Sequence, residues 1–269
     1  MTAIAVAAPV VDERTPVSQA VSDALAVARR NVIGLFRTPT TLVFSTVQPV
    51  IFVVMFRYVF GGAIRDIPGV RYVDFLMAGI FVQTVTFGSL NTGIGLAQDL
   101  QTGLIERFRS LPMARSAVLA GRALADVLRN FFVIVLMVVV GFLVGFRVHT
   151  GVIPFLAAIA ILLLFGLAMS WVMALVGLAT GNAEAAQAAS FPLMALLVFA
   201  SSAFVSTATM PGPLRAYADH QPVSAVANAV RTLVIGGPTA GKVFSAVVWM
   251  IGITVVFAAL AVRRYRRAA

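Results

Sequence analysis

The chain has 269 residues, 60 % of them hydrophobic and only 11 % charged, with a formal net charge of +10 and a mean hydropathy of +0.99. A soluble domain carries roughly 25 % charged residues, so this composition excludes one and describes an integral membrane protein with several spans. The absence of cysteine excludes disulfides and thiol chemistry, and two histidines, His149 and His220, do not make a metal site by themselves.

Residues 1–17 are small, Pro-containing and weakly charged, without the basic start and cleavage site of a signal peptide, and read as a disordered cytoplasmic tail. Residues 18–37 read as a helix lying on the membrane. Val21, Leu25, Val32 and Leu35 mark its apolar stripe, and Arg29, Arg30 and Arg37 can reach headgroups. Thr38-Pro39 then turns the chain into the bilayer.

Six apolar runs follow, at about 40–60, 75–97, 117–146, 151–179, 185–205 and 243–262. Each approaches or exceeds the roughly 20 residues a helix needs to cross the hydrocarbon core. The runs are continuously apolar rather than alternating, so they read as helices, which satisfy their own backbone in lipid. Gln48-Pro49 interrupts the first run. It either kinks the helix for packing or exposes backbone to a transport path. Gly141/Gly145 and Gly177/Gly181 permit close helix contact, within the bundle or between subunits.

Charge orients these runs. The basic excess is nineteen Arg and one Lys, clustered at the ends of apolar runs. That is the pattern of topology signals and anionic-lipid contact rather than of nucleic-acid binding. With both termini inside, thirteen basic residues fall on cytoplasmic segments, including Arg263, Arg264, Arg266 and Arg267 of the 263–269 tail. Six fall outside. The expected fold class is therefore an all-α integral membrane protein. It has six transmembrane helices over 18–262, an N-terminal amphipathic interfacial helix, and a cytoplasmic helix between the second and third spans. Residues 206–242 carry Pro211, Pro213, Pro222 and a Gly236-Gly237-Pro238 turn around a mostly apolar 223–235. That apolar piece is too short to cross, so half-helices dipping into the outer leaflet are expected before the last span.

The cytoplasmic interval, residues 99–116, has Leu100, Leu104, Phe108 and Leu111 at spacings that share one helical face. Glu106, Arg107 and Arg109 lie on the other faces and Pro112 closes the pattern. Such a helix either lies at the headgroups as a connector or presents its polar face to a partner. The acids nearest to boundaries are Asp99, Glu106, Asp126 and Glu184. Asp126 is spaced to pair with Arg122 and Arg129, and Asn182 is placed to cap a helix whose first turn holds Glu184. No run carries an acid near its middle, which argues against a proton-driven carrier. The stretch GGPTAGKV at 236–243 has the spacing of a phosphate-binding loop. Val243 stands where the Mg²⁺-reaching Ser or Thr should be, and a membrane run follows. Nothing else offers a nucleotide site, so ATP and Mg²⁺ would be bound by another polypeptide.

The order of an amphipathic helix, two spans, GLIERFRSLPMARSAVLAGR (103–122), then four spans with HQPVSAVANAVRTLVIGG (220–237) resembles the permease subunits of type-2 (ABC-2) exporters. More narrowly it resembles the daunorubicin/doxorubicin-resistance-type permeases. The resemblance spans about residues 18–265. It implies a transporter permease, not an enzyme, in a bacterial plasma membrane with cytoplasmic termini. It implies a second permease chain, two ABC ATPase subunits, and export of a hydrophobic or amphiphilic drug or lipid. The 99–112 segment would be a coupling helix meeting the ATPase through Asp99, Gly103, Glu106, Arg107, Arg109 and Pro112. Polysaccharide or teichoic-acid permeases tend to line their channel with aromatics. Twenty Phe against two Trp and four Tyr lean here toward a hydrophobic substrate. A membrane enzyme or an assembly protein with no transport role is the reading from another class. The first lacks a cluster of catalytic groups, and the second would need no ATPase partner.

Overall fold

A computed structural model describes residues 39–59, 70–103 and 115–267, together with Ser22, Leu25, Arg29 and Ile33, whose backbone is helical. Among the described residues from Pro39 onward nine α-helices follow one another: α1 (Pro39–Val54), α2 (Tyr72–Gly88), α3 (Leu90–Gln101), α4 (Arg115–Val144), α5 (Val152–Thr180), α6 (Ala183–Phe199), α7 (Gly212–Asp219), α8 (Pro222–Ile235) and α9 (Ala240–Arg267). Among the described residues four stretches are long and apolar enough to cross a bilayer: Tyr72–Gln101, Gly121–Val144, Val152–Thr180 and Ala240–Tyr265. Shorter apolar helices cover Thr46–Val59, Ala183–Phe199 and Pro222–Ile235.

α2 and α3 form one rod of about 45 Å at 1.5 Å per residue, broken only by an irregular turn at Ser89. Its two ends, near Asp74 and near Asp99, therefore lie at opposite faces of the bundle. α2 is buried on all sides, from Leu76 and Met77 to Ile80 and Val82, as a helix apolar around its whole circumference should be. It packs against α1, α4, α5 and α8. α5 is the other central element, with α3, α4, α8 and α9 around it. Where α3 crosses α5, Gly93 and Gly177 meet backbone to backbone. A Cβ on Gly93 would lie 2.6 Å from the Met173 carbonyl, and one on Gly177 would strike Gly93 itself. Of the expected small-residue pairs, Gly177 thus serves contact within the chain. The outward faces of α4 (Leu128, Phe132, Leu143) and α9 (Phe244, Ile251, Val255) are exposed and apolar.

Two expectations are corrected. The fifth apolar run ends its helix at Phe199, not 205. There the Ser201 hydroxyl donates to the Val198 carbonyl and accepts from the Ala203 N–H, offering the backbone local partners that compete with the helix. The 99–112 segment is not one continuous helix from Asp99. α3 ends at Gln101, and Gly103 has φ +68°, a left-handed conformation that a right-handed helix cannot pass through. Leu104 and the remainder of that pattern lie outside the described residues.

Candidate functional site

Asp99 sits in the last turn of α3, two residues before its end. The Thr102 hydroxyl donates to the Gln98 carbonyl at 3.0 Å and closes the helix, and Gly103 turns the chain away. Glu106, Arg107, Arg109 and Pro112 lie outside the described residues, as do Arg30 and Arg37. Arg29 is exposed and borders, with Leu25, a groove along Leu124, Leu128 and Phe131 of α4.

The polar interval hangs from α3 and α4; two polar rungs tie these helices to each other, and a third ties α4 to the end of α2. Arg122 donates to the Asp99 carboxylate, both side chains 18 % exposed. Thr92 donates through its hydroxyl to Asp126. Arg129 donates to the Gly88 carbonyl and pairs with Asp126 Oδ1 at 3.1 Å. The order 99, 92, 88 along the α2–α3 rod against 122, 126, 129 on α4 is that of an antiparallel pair. Gly88 can receive Arg129 because of the irregular turn, where the Thr92 N–H bonds back to Ser89 at 3.0 Å. The expected Asp126–Arg129 pair forms. Arg122 instead reaches across to Asp99, 23 residues away in sequence, a pairing that no helical spacing signals. Buried charges of this kind are tolerated because each is matched and hydrogen-bonded.

At the other end of the rod, α8 does a related job for irregular backbone. Gln221, Ser224, Asn228 and Arg231 recur at spacings of three, four and three, one stripe on a helix otherwise buried through Val223, Val226, Ala227 and Val230. The stripe grips the segment after α6. Gln221 Nε2 donates to the Ala200 carbonyl (2.6 Å), and the Ser202 N–H donates to the Ser224 hydroxyl (2.9 Å). Arg231 donates to the Ser202 carbonyl (2.5 Å), the Ala203 carbonyl (2.6 Å), the Asn228 Oδ1 (3.2 Å), the Ser202 hydroxyl (3.3 Å) and the Phe75 carbonyl (3.3 Å). Its guanidinium lies 3.5 Å from the centre of the Phe75 ring. Gly79 leaves room for the Ala203 carbonyl, which a Cβ there would overlap. Phe204 of the same segment stacks on Phe56 of the first apolar helix, ring centres 4.6 Å apart. Non-helical backbone at Ala200, Ser202 and Ala203 is thus covered by protein and hydrogen-bonded, the condition for its survival at membrane depth.

The Asp74 carboxylate, 1 % exposed, gathers Arg71 (2.9 Å), the Arg147 N–H (2.9 Å) and His149 Nε2 (2.8 Å). The loop bearing His149 also bonds the Val234 carbonyl at the end of α8. Neither Asp74 nor Arg231 was singled out from the sequence; Arg231 counted only among the basic residues of the outer loops. Among the described residues no group of three metal-ligating side chains occurs. Residues 233–235 before the GGPTAGKV turn are the end of α8, a helix and not the strand that precedes a phosphate-binding loop. Asn182 caps α6 as expected, its side chain accepting from the Glu184 and Ala185 N–H groups.

The sequence profile of the ABC-2 type transporter family matches residues 23–235. This chain belongs to that family. It is 35 % identical, over 94 % of its own length and 89 % of the relative's, to the daunorubicin resistance ABC transporter permease protein DrrB1 of Streptomyces coeruleorubidus. It is 29 % identical, over 85 % of its length and 82 % of the relative's, to the probable doxorubicin resistance ABC transporter permease protein DrrC of Mycobacterium tuberculosis. A more distant similarity, 26 % over 45 % of this chain and 42 % of the relative, is to the putative transport permease ycf38 of Porphyra purpurea. With its apolar helices, this ABC-2 chain is a multi-pass membrane protein.

Proposed function

We propose that the chain is the permease of an ATP-driven exporter that moves an amphiphilic, drug-like compound out of the cytoplasm or inner leaflet. Family membership supports the transporter class, and the names of two relatives support the substrate class. The observation that carries the mechanism is the hairpin of α3 and α4. Its polar rungs make a stiff mount for the interval 104–114, which holds Glu106, Arg107 and Arg109. A rigid mount is what a part needs if it is to pass a push from a soluble ATPase into the bundle.

In this reading the spans are α1, α2–α3, α4, α5, α6 and α9. Both termini and the Asp99 end lie in the cytoplasm of a bacterium, and α7 and α8 sit in the outer leaflet. Asp99, Gly103 and Pro112 frame the coupling segment, and Arg29, Arg30 and Arg37 hold its flanking interfacial helix at the headgroups. ATP and Mg²⁺ belong to two copies of the partner ATPase. A second permease chain covers α6, whose buried stripe is only Ala186, Ser190, Met194 and Val198, while Gln187, Phe191, Leu196 and Phe199 are exposed.

The test is a mild-detergent pull-down of the tagged chain from its host. A stoichiometric ABC ATPase, lost on Glu106→Arg, is the expected result. Recovery of the folded chain without any ATPase, and transport that follows an ion gradient instead, would sink the proposal.

A further inference from the structure

Along the flank of α4 the bundle carries an open apolar groove of about 500 Å³, the size of a small-molecule cleft. Leu124, Leu128 and Phe131 recur at spacings of four and three, so they form one stripe on α4, and each is about half exposed. Leu163 of α5 and Leu25 of the 18–37 segment complete the groove, and Arg29 is the charged residue on its border. Arg29 is exposed and, among the described residues, has neither a hydrogen bond nor an ion pair. On α4, Arg122 is engaged by Asp99, and Asp126 by Thr92 and Arg129. No carboxylate of that helix is left over to neutralise Arg29.

Depth and polarity select the occupant. Phe131 is about 15 Å along α4 from Gly121, where its apolar part begins. Leu163 is about 17 Å along α5 from Val152, which lies at the opposite face. Both therefore stand near the middle of a hydrocarbon layer about 30 Å thick, while Leu124 stands within one turn of Gly121. The groove thus spans one leaflet, the depth reached by one acyl chain. Apart from Arg29 it is lined by apolar side chains, so an aliphatic chain fills it without leaving a polar group unmatched. The cation on its border calls for an anion, and the 18–37 segment holds Arg29, Arg30 and Arg37 against Asp23 alone. An amphiphilic amine would be repelled there, and a second copy of the chain would have to bury an unmatched arginine.

We infer that this groove is a binding site for an anionic phospholipid. The lipid phosphate accepts from the Arg29 guanidinium, and one acyl chain lies along Leu124, Leu128 and Phe131. The bound lipid joins the interfacial helix to α4 and so steadies the flank of the coupling segment. That the lipid comes from the inner leaflet rests on the exporter reading; the chemistry of binding does not.

The experiment places the full chain in nanodiscs of equal parts phosphatidylcholine and phosphatidylglycerol, releases it into mild detergent and identifies the retained lipid by native mass spectrometry. The wild-type chain should keep phosphatidylglycerol in preference to phosphatidylcholine. Arg29→Gln should cut that preference about tenfold, the worth of one hydrogen bond to a charged group, and Arg29→Lys should keep most of it. Leu128→Trp fills the groove and should remove the retained lipid of either kind. Leu124→Trp fills it from one turn away and should do the same, so a folding defect in one variant does not decide the outcome. Val255→Trp, on the exposed face of α9, should retain lipid as the wild type does. Equal retention of the two lipids by the wild type overturns the site, as does unchanged preference in Arg29→Gln. So does lipid retention by both groove variants, which would make the lipid part of the ordinary annulus. Daunorubicin that displaces the retained lipid from the wild type would make the groove a substrate entrance and overturn the lipid assignment. Nanodiscs offer both leaflets and need no ATPase, so the result stands apart from the pull-down that scores the exporter reading.

Discussion

Arg231 provides the sharpest test of how the bundle holds its irregular segment. Arg231→Met keeps the stem and removes the guanidinium. The Ser202 and Ala203 carbonyls, at 2.5 and 2.6 Å, lose their Arg231 donors, at about 1–3 kcal/mol for each buried group left unsatisfied. The stacking on Phe75 at 3.5 Å is worth up to about 2 kcal/mol when desolvated. Against these losses stands the relief of no longer burying a cation that has no carboxylate partner among the described residues, itself several kcal/mol. The net expectation is a destabilisation of about 2–4 kcal/mol. In a chain of this size that lowers the melting temperature by roughly 5–10 °C. Arg231→Lys should be no better than Met. It keeps the charge to be buried but loses the planar fork that serves two carbonyls and a ring together. The assay is thermal unfolding of the detergent-solubilised chain followed by intrinsic fluorescence, with Ser224→Ala as a milder companion at about 1 kcal/mol. A Met variant that melts within a degree of wild type, or a Lys variant that is fully stable, would refute the reasoning.

Asp126→Asn leaves Arg129 without its counter-charge and should cost about 3–5 kcal/mol, seen as loss of folded protein on size-exclusion chromatography. Thr92→Ala at the same rung should cost only about 1 kcal/mol. Gly177→Leu pushes a side chain into the Gly93 backbone and should abolish folding; the substitution of Gly241, whose Cβ position is open, should not. Glu106→Arg and Arg109→Glu should leave membrane insertion intact and uncouple ATP hydrolysis from transport in reconstituted vesicles. Normal transport by both variants would end the coupling proposal.

Much of this was legible in the chain because bilayer crossing leaves a coarse, local signal. The run at α5 has no charged residue, and helix and run agree to within a residue. The Asn182 cap and the Asp126–Arg129 pair are also local, set by spacings of a few residues on one helix. What was not legible is long-range. Arg231 counted as a loop charge, since nothing near it in sequence announces that Ser202, 29 residues earlier, will present two acceptors to it. Asp99 finds Arg122 for the same kind of reason. The misplaced end of α6 and the break at Gly103 have a different cause. Hydropathy scores Ser201 and Gly103 as mild interruptions, whereas one supplies competing hydrogen bonds and the other a left-handed turn.

A helix carries its hydrogen bonds along with it and can slide past a neighbour by small steps. The segment from Ala200 to Phe204 cannot, because its carbonyls are held by side chains of another element. Displacing the end of α6 relative to α8 must break the Gln221, Ser224 and Arg231 bonds together, and Arg231 must release the Phe75 ring in the same event. The joint therefore behaves as a detent rather than a spring. It resists small pushes almost completely and then yields in one jump, so a load arriving gradually at one face of the membrane would be delivered at the other as an all-or-none movement.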